Sequence, residues 1–195
     1  MKFRLGAMPK DPTFEPEHEG WMRVPEPGPL KMMMLIIPPM VVLGLSFHFI
    51  FSLAGANVQP LTNIRNAPIA LAIIAGIAPI HELLHLLCLP GFGLNEESIV
   101  GFWPKMFAPY VYYEGVLSRN RYIFICACPF AVLSVVPLLV SLINPDIPVI
   151  VIAVSYLNCL LSGADLAGIF LLLKHVPSGA SIKNNGTEGY WRKEN

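Results

Sequence analysis

Four long apolar runs constrain this chain more than anything else in it. They fall at about Met32–Ala54, Ala67–Leu89, Tyr122–Ile143 and Ile147–Leu173. Each is near the ~20 residues a helix needs to cross the hydrocarbon of a bilayer. In lipid every backbone N–H and C=O must be satisfied within the protein, so such runs fold as helices. The composition agrees: 54% of the 195 residues are hydrophobic and 13% are charged. The expected fold class is therefore all-α and integral to the membrane. It has four transmembrane helices, with a small β-hairpin or an interfacial loop between the second and third.

The runs divide the chain into three parts. Residues 1–30 form a polar, proline-rich tail, expected to be extended and weakly ordered. Residues 31–175 hold the four spans, and 176–195 form a second polar tail. The first apolar run starts too late and is too long for a secretory signal. Lys2, Arg4, Lys10, Arg23 and Lys31 flank the first run, and Lys105, Arg119 and Arg121 lie between the second and third. Lys174, Lys183, Arg192 and Lys193 follow the fourth, whereas the opposite side has only Arg65. The positive-inside rule makes this a multi-pass cell-membrane protein with both termini cytoplasmic. Asn185-Gly186-Thr187 matches a glycosylation sequon, but on this topology it faces the cytoplasm and stays unused.

A net charge of zero offers no basic field for nucleic acid. The expected partners are the lipid bilayer and a membrane protein or peptide. The sequence carries no signal for oligomeric state. Cys88, Cys126, Cys128 and Cys159 all lie in apolar runs and read as packing residues rather than a disulfide framework.

The second run contains His81-Glu82-Leu83-Leu84-His85. On a helix, residues four apart share a face, so both histidines can reach one metal ion. Glu82 beside them is placed to activate a metal-bound water as general base. Ionisable groups inside a span are costly and point to function. Pro79 is expected to bend the second run near this motif.

Catalytic zinc takes three protein ligands and keeps one position open, so a third ligand must come from another span. Asp165 is the only acid in the fourth run. At 1.5 Å per residue it lies about 27 Å along its span, against about 24 Å for Leu83 in the second. The two sites therefore share a level. Asn158, Ser162 and Asp165 form one helical stripe, expected to face the bundle interior. Asn158 either hydrogen-bonds a ligand carboxylate or an oxyanion, or serves as interhelical glue. Gly163 and Gly168 allow close helix approach, and Ser162 reads as packing. Asp146 falls in a turn at the far end of the third and fourth runs, and His48 lies in the far half of the first. Neither is expected at the site. Cys88 and Cys159 lie near it, but a fourth protein ligand would close the open position.

These residues carry a resemblance. HELLH in the second run, Asn158 and Ser162-Gly163-Ala164-Asp165 in the fourth, and the tail Val176-Pro177-Ser178-Gly179-Ala180 are similar to the putative zincin peptidase family of bacterial membrane proteins. The similarity covers roughly Ala67 to Trp191. More distantly the chain resembles the site-2 protease superfamily of intramembrane zinc proteases. That superfamily has Asp-Gly where this chain has Asp165-Leu166. The resemblance implies His81, His85 and Asp165 as zinc ligands, and Glu82 as the base.

The function expected is that of a zinc-dependent intramembrane metallopeptidase. It would hydrolyse a peptide bond in or near the membrane, with Glu82 and Asn158 as the catalytic residues. A non-catalytic metal-binding membrane protein, structural or sensory, is the alternative. Five histidines in the whole chain are too few for a membrane di-iron enzyme with several histidine boxes. The aromatic stretch from Gly101 to Gly115 is β-prone, and its edge could pair with an unwound substrate helix or anchor the loop at the headgroups.

Overall fold

A computed structural model describes residues 1–193. Seven helices and seven strands follow the chain. Strands β1 (Lys2–Leu5) and β2 (Met22–Arg23) precede helix α1 (Pro29–Leu53). The short α2 (Gln59–Thr62) leads through a 3₁₀ turn into α3 (Ala67–Cys88), which keeps Pro79 inside one unbroken helix. Strands β3 (Ser98–Trp103), β4 (Ala108–Tyr113) and β5 (Leu117–Ser118) come next. Then α4 (Arg119–Phe130) passes through a π turn (Ala131–Val135) into α5 (Val136–Ile143). The chain ends with α6 (Val149–Leu161), α7 (Gly163–His175), β6 (Ala180–Asn185) and β7 (Glu188–Lys193).

Among the described residues three helices are long and apolar enough to cross a membrane: Leu30–Leu53, Ile64–Cys88 and Arg119–Ile143. A fourth span results if α6 and α7 count as one, although they meet at a 46° bend. Only 22% of each long span is buried within the protein. Val41, Val42, Leu45 and Phe49 on α1, and Leu139 and Leu142 on α5, point outward. Apolar surface on this scale calls for hydrocarbon around it.

The chain divides into two compact units, and α3 runs from one into the other at His81–Glu82. The helical unit comprises Gly28–His81 and Ala127–Ala167. Its core is Phe47, Phe51, Leu138, Ile152 and Cys159. Five fully buried polar residues accompany them: Ser134, Ser141, Ser155, Asn158 and Ser162. Ser155 Oγ donates to the Ser134 carbonyl at 2.7 Å, as small polar residues do between membrane helices. The bend falls at Ser162-Gly163. A Cβ on Gly163 would come within 2.9 Å of Ile36 and 3.0 Å of Met40 on α1, so glycine permits that approach. Gly168 has open space instead, so close packing is not its reason.

The second unit comprises residues 1–27, Glu82–Cys126 and the chain from Gly168 onward. It corrects the all-α expectation, because it carries two sheets. In the first, ordered β1-β3-β4, the expected hairpin is present, with Gly101 opposite Tyr110 and Val100 opposite Val111. β1 adds in parallel to β3. The second is ordered β2-β7-β6-β5. The polar ends are thus built into sheets rather than weakly ordered. Asn185 ties them further: its Oδ1 accepts the Asp11 N–H at 2.7 Å and its Nδ2 donates to the Asp11 carbonyl. This buried, committed amide is also closed to glycosylation. Phe14, Trp21 and Tyr190 stack edge to face above it, and Val24, Leu172, Val176, Ala180 and Ile182 fill a second cluster.

Candidate metal centre

The two histidines of α3 are both buried and are held by the same device, a carbonyl oxygen on Nδ1. His85 Nδ1 lies 2.9 Å from the Ile125 carbonyl, which only accepts, so Nδ1 carries the ring proton. In a regular helix that carbonyl would bond the N–H four residues on. Here that residue is Pro129, which has no N–H. The proline leaves Ile125 O open to a donor, and His85 fills the place.

His81 is held by Asn158 on α6. Asn158 Nδ2 donates to the Pro129 carbonyl at 3.1 Å and to Ser134 Oγ at 2.9 Å, both offered by the widened turn around Ala131–Val135. Its Oδ1 therefore faces His81 Nδ1, at 2.8 Å, and accepts a proton from it. Both amide protons are committed within the protein. Asn158 thus bonds a histidine ring rather than the Asp165 carboxylate. Ser162 Oγ turns back to the Asn158 carbonyl at 2.9 Å, a packing role.

Both rings then present Nε2 as the lone-pair atom. His81 Nε2 lies 3.0 Å from Asp165 Oδ2, in the first turn of α7. A neutral imidazole nitrogen and a carboxylate oxygen both accept, so what joins them at this distance is a proton on Nε2 or a metal ion in its place. The ligand atoms of His81, His85 and Asp165 all lie within 4.8 Å of one another. Tetrahedral zinc with bonds of about 2.0–2.1 Å spaces its ligand atoms about 3.3 Å apart, within reach of small side-chain rotations. Two imidazoles and one carboxylate, with each imidazole donating Nδ1–H to a carbonyl oxygen, is the donor set and outer support zinc sites use.

A sequence model of the putative zincin peptidase family matches residues 74–180, more than half of the chain. The chain belongs to that family. Zincin membership implies zinc, and the donor set fits it. No curated protein and no solved structure matches the chain.

Glu82 takes a different direction from its neighbours on α3. Its Oε2 accepts the backbone N–H of Val111 on β4 at 2.9 Å. In the β3–β4 ladder the even-numbered residues of β4 face β3, as the Glu114 N–H bond to the Glu97 carbonyl continues at the strand's end. Val111 therefore faces outward, and Glu82 sits at the open edge of the sheet. Cys159 packs in the helical core, and His48 and Asp146 stay outside the metal group. Three contributors were not among the sequence candidates: Pro129, the Ile125 carbonyl and the Val111 amide. Only the proline, in mid-span between Cys128 and Phe130, left a trace in the sequence.

Proposed function

We propose that this zincin is a zinc-dependent peptidase that hydrolyses a peptide bond in or near the membrane. The observation that carries the reading is a carboxylate, Glu82, on the same turn of α3 as two histidines gathered with Asp165. His81, His85 and Asp165 would hold the zinc. When bound, zinc supplies Lewis acidity that lowers the pKa of water and polarises a carbonyl. Glu82 takes the proton from the attacking water as the new C–O bond forms. It delivers that proton to the leaving nitrogen as the C–N bond breaks. Asn158 acts as a positioning residue, holding His81 in the tautomer that offers Nε2.

The substrate is a membrane protein or peptide. A segment laid in extended form along β4 would bring its scissile bond beside Glu82, since that carboxylate is already bonded to the strand's outer edge. The distant resemblance to site-2 proteases supports a substrate within the bilayer. The Lys and Arg distribution supports a cell-membrane location with both termini in the cytoplasm. β1 pairs with β3 and β2 with β7, which supports both tails and the middle loop sharing one side of the membrane.

The test is metal content and turnover of the detergent-purified chain. Wild type and Glu82→Gln should each retain close to one zinc, and Asp165→Ala should lose it. Only wild type should cleave a membrane peptide. Equal function of Glu82→Gln and wild type would overturn the peptidase reading in favour of a structural or sensory metal site.

A further inference from the structure

The sheet-bearing unit holds a cavity of about 290 Å³ that the metal centre does not use. Val111, Leu171, Leu172 and Ile182 give it apolar walls. Its polar groups are mostly committed to one another. Tyr112 donates to the Asn184 carbonyl at 2.8 Å, and Asn184 Nδ2 reaches the Tyr122 hydroxyl at 3.3 Å. Burial pushes the Tyr112 phenol up to about 12, so it remains a donor across the physiological range.

Glu26 is the one charged side chain among the described residues lining this cavity. It lines the cavity yet is exposed, which puts it at the mouth, and the Gly189 N–H bonds it. Arg23, whose charge also acts on Glu26, is paired with Glu188 at 2.9 Å. Loss of hydration against the cavity wall raises the Glu26 pKa above its ordinary value, a cost that a cation at the mouth would relieve. One carboxylate is too few oxygens for a calcium or magnesium ion. A long side chain with an aliphatic stem and a charged tip meets both the walls and the mouth.

We propose that this cavity is a subsite for a lysine or arginine side chain of the substrate, its stem against Val111, Leu171 and Leu172 and its charge at Glu26. The inference rests on the peptidase reading and names the substrate feature it selects. Val111 makes the connection: it lines the cavity and its N–H bonds Glu82. The residue entering the cavity is then within a few positions of the bond cut. Membrane segments carry their Lys and Arg at the cytoplasmic end, which gives such a subsite a ready source of cations.

The experiment uses the full-length, zinc-loaded Glu82→Gln chain in lipid nanodiscs. The probes are leucine–alanine membrane-spanning peptides with one Lys placed in turn along the terminal segment, beside Gln and Glu twins. At one register Lys should bind about fivefold tighter than Gln, the range of a half-exposed ion pair. Adding Glu26→Gln should erase that preference, and Glu26→Lys should favour the Glu twin, with zinc content unchanged as the sign of an intact fold. Equal binding of Lys and Gln at every register, a Lys preference that survives Glu26→Gln, or no binding by any probe would overturn the subsite. Cleavage of the same peptides by wild type separates the two readings. Charge-selective binding without cleavage keeps the subsite and sinks the peptidase, and cleavage without charge preference does the reverse.

Discussion

Replacing Pro129 by alanine should weaken zinc binding while leaving the metal-free protein at least as stable. Alanine restores an N–H four residues after Ile125 and returns that carbonyl to the helix ladder. His85 Nδ1–H then competes for an acceptor already in use. Outer partners of ligand histidines contribute 10–100-fold in metal affinity, about 1.4–2.7 kcal/mol. An interior proline costs a helix about 3 kcal/mol, so its removal pushes metal-free stability the other way. The Asn158 bond to residue 129 uses a carbonyl that any residue keeps. The assay is zinc competition against a chromogenic chelator, beside thermal melts in chelator. A 10–100-fold rise in zinc Kd with no fall in metal-free Tm is expected. Unchanged affinity would refute the link between proline and histidine. Weaker affinity with a matching loss of metal-free stability would reduce it to ordinary disruption.

Other substitutions separate the remaining parts. Asn158→Leu leaves the buried His81 Nδ1–H without its acceptor and should cost about 1–3 kcal/mol in stability, read by denaturant melts, with weaker zinc binding. Val111→Pro removes the N–H that holds Glu82 and should lower kcat with zinc content intact, measured by turnover beside metal analysis. Gly93 has φ of 73°, and a Cβ there would sit 2.8 Å from the Leu86 carbonyl. Gly93→Ala should therefore lower Tm by an amount typical of strained positive-φ sites, about 1 kcal/mol or more. Burial raises the Glu26 pKa, so its ionisation opposes folding as pH rises through that value. Glu26→Gln should raise Tm at pH 7, and the gain should shrink towards about pH 4, below which both states are protonated.

How much could be read beforehand follows from which interactions are local. The apolar runs announced the spans because hydrocarbon thickness sets their length, whereas the aromatic loop left a hairpin and an interfacial anchor both open. β1 and β2 gave no such sign: four residues and two residues show no periodicity, and their partners lie far along the chain. The bend at Ser162-Gly163 escaped for another reason. Gly163 at the bend lies close against Ile36 and Met40 of α1, a tertiary contact that the run itself does not show, so a straight fourth helix was the natural reading. At the site, the spacing of His81 and His85 and the lone acid at 165 were visible as side chains. What steers them is backbone, the carbonyl of Ile125 and the amide of Val111, and backbone atoms are the same at every position. Asn158 was visible as polar but not in its direction, which depends on the widened turn opposite.

The two sheets also set a clock. Met22 pairs with Trp191, and Lys2 with Ile99, so each of these strands must wait for a partner made long after it. At 5–20 residues per second that is a wait of about 10–30 s for Met22 and roughly half that for Lys2. For most of that interval Asp165, the β6 wall of the cavity beside Glu26 and β7 all have still to be made. A nascent chain therefore carries the two histidines and the glutamate before Asp165 exists to complete their group. The metal group and the β2–β7 pairing are thus completed by segments made well after the HELLH turn.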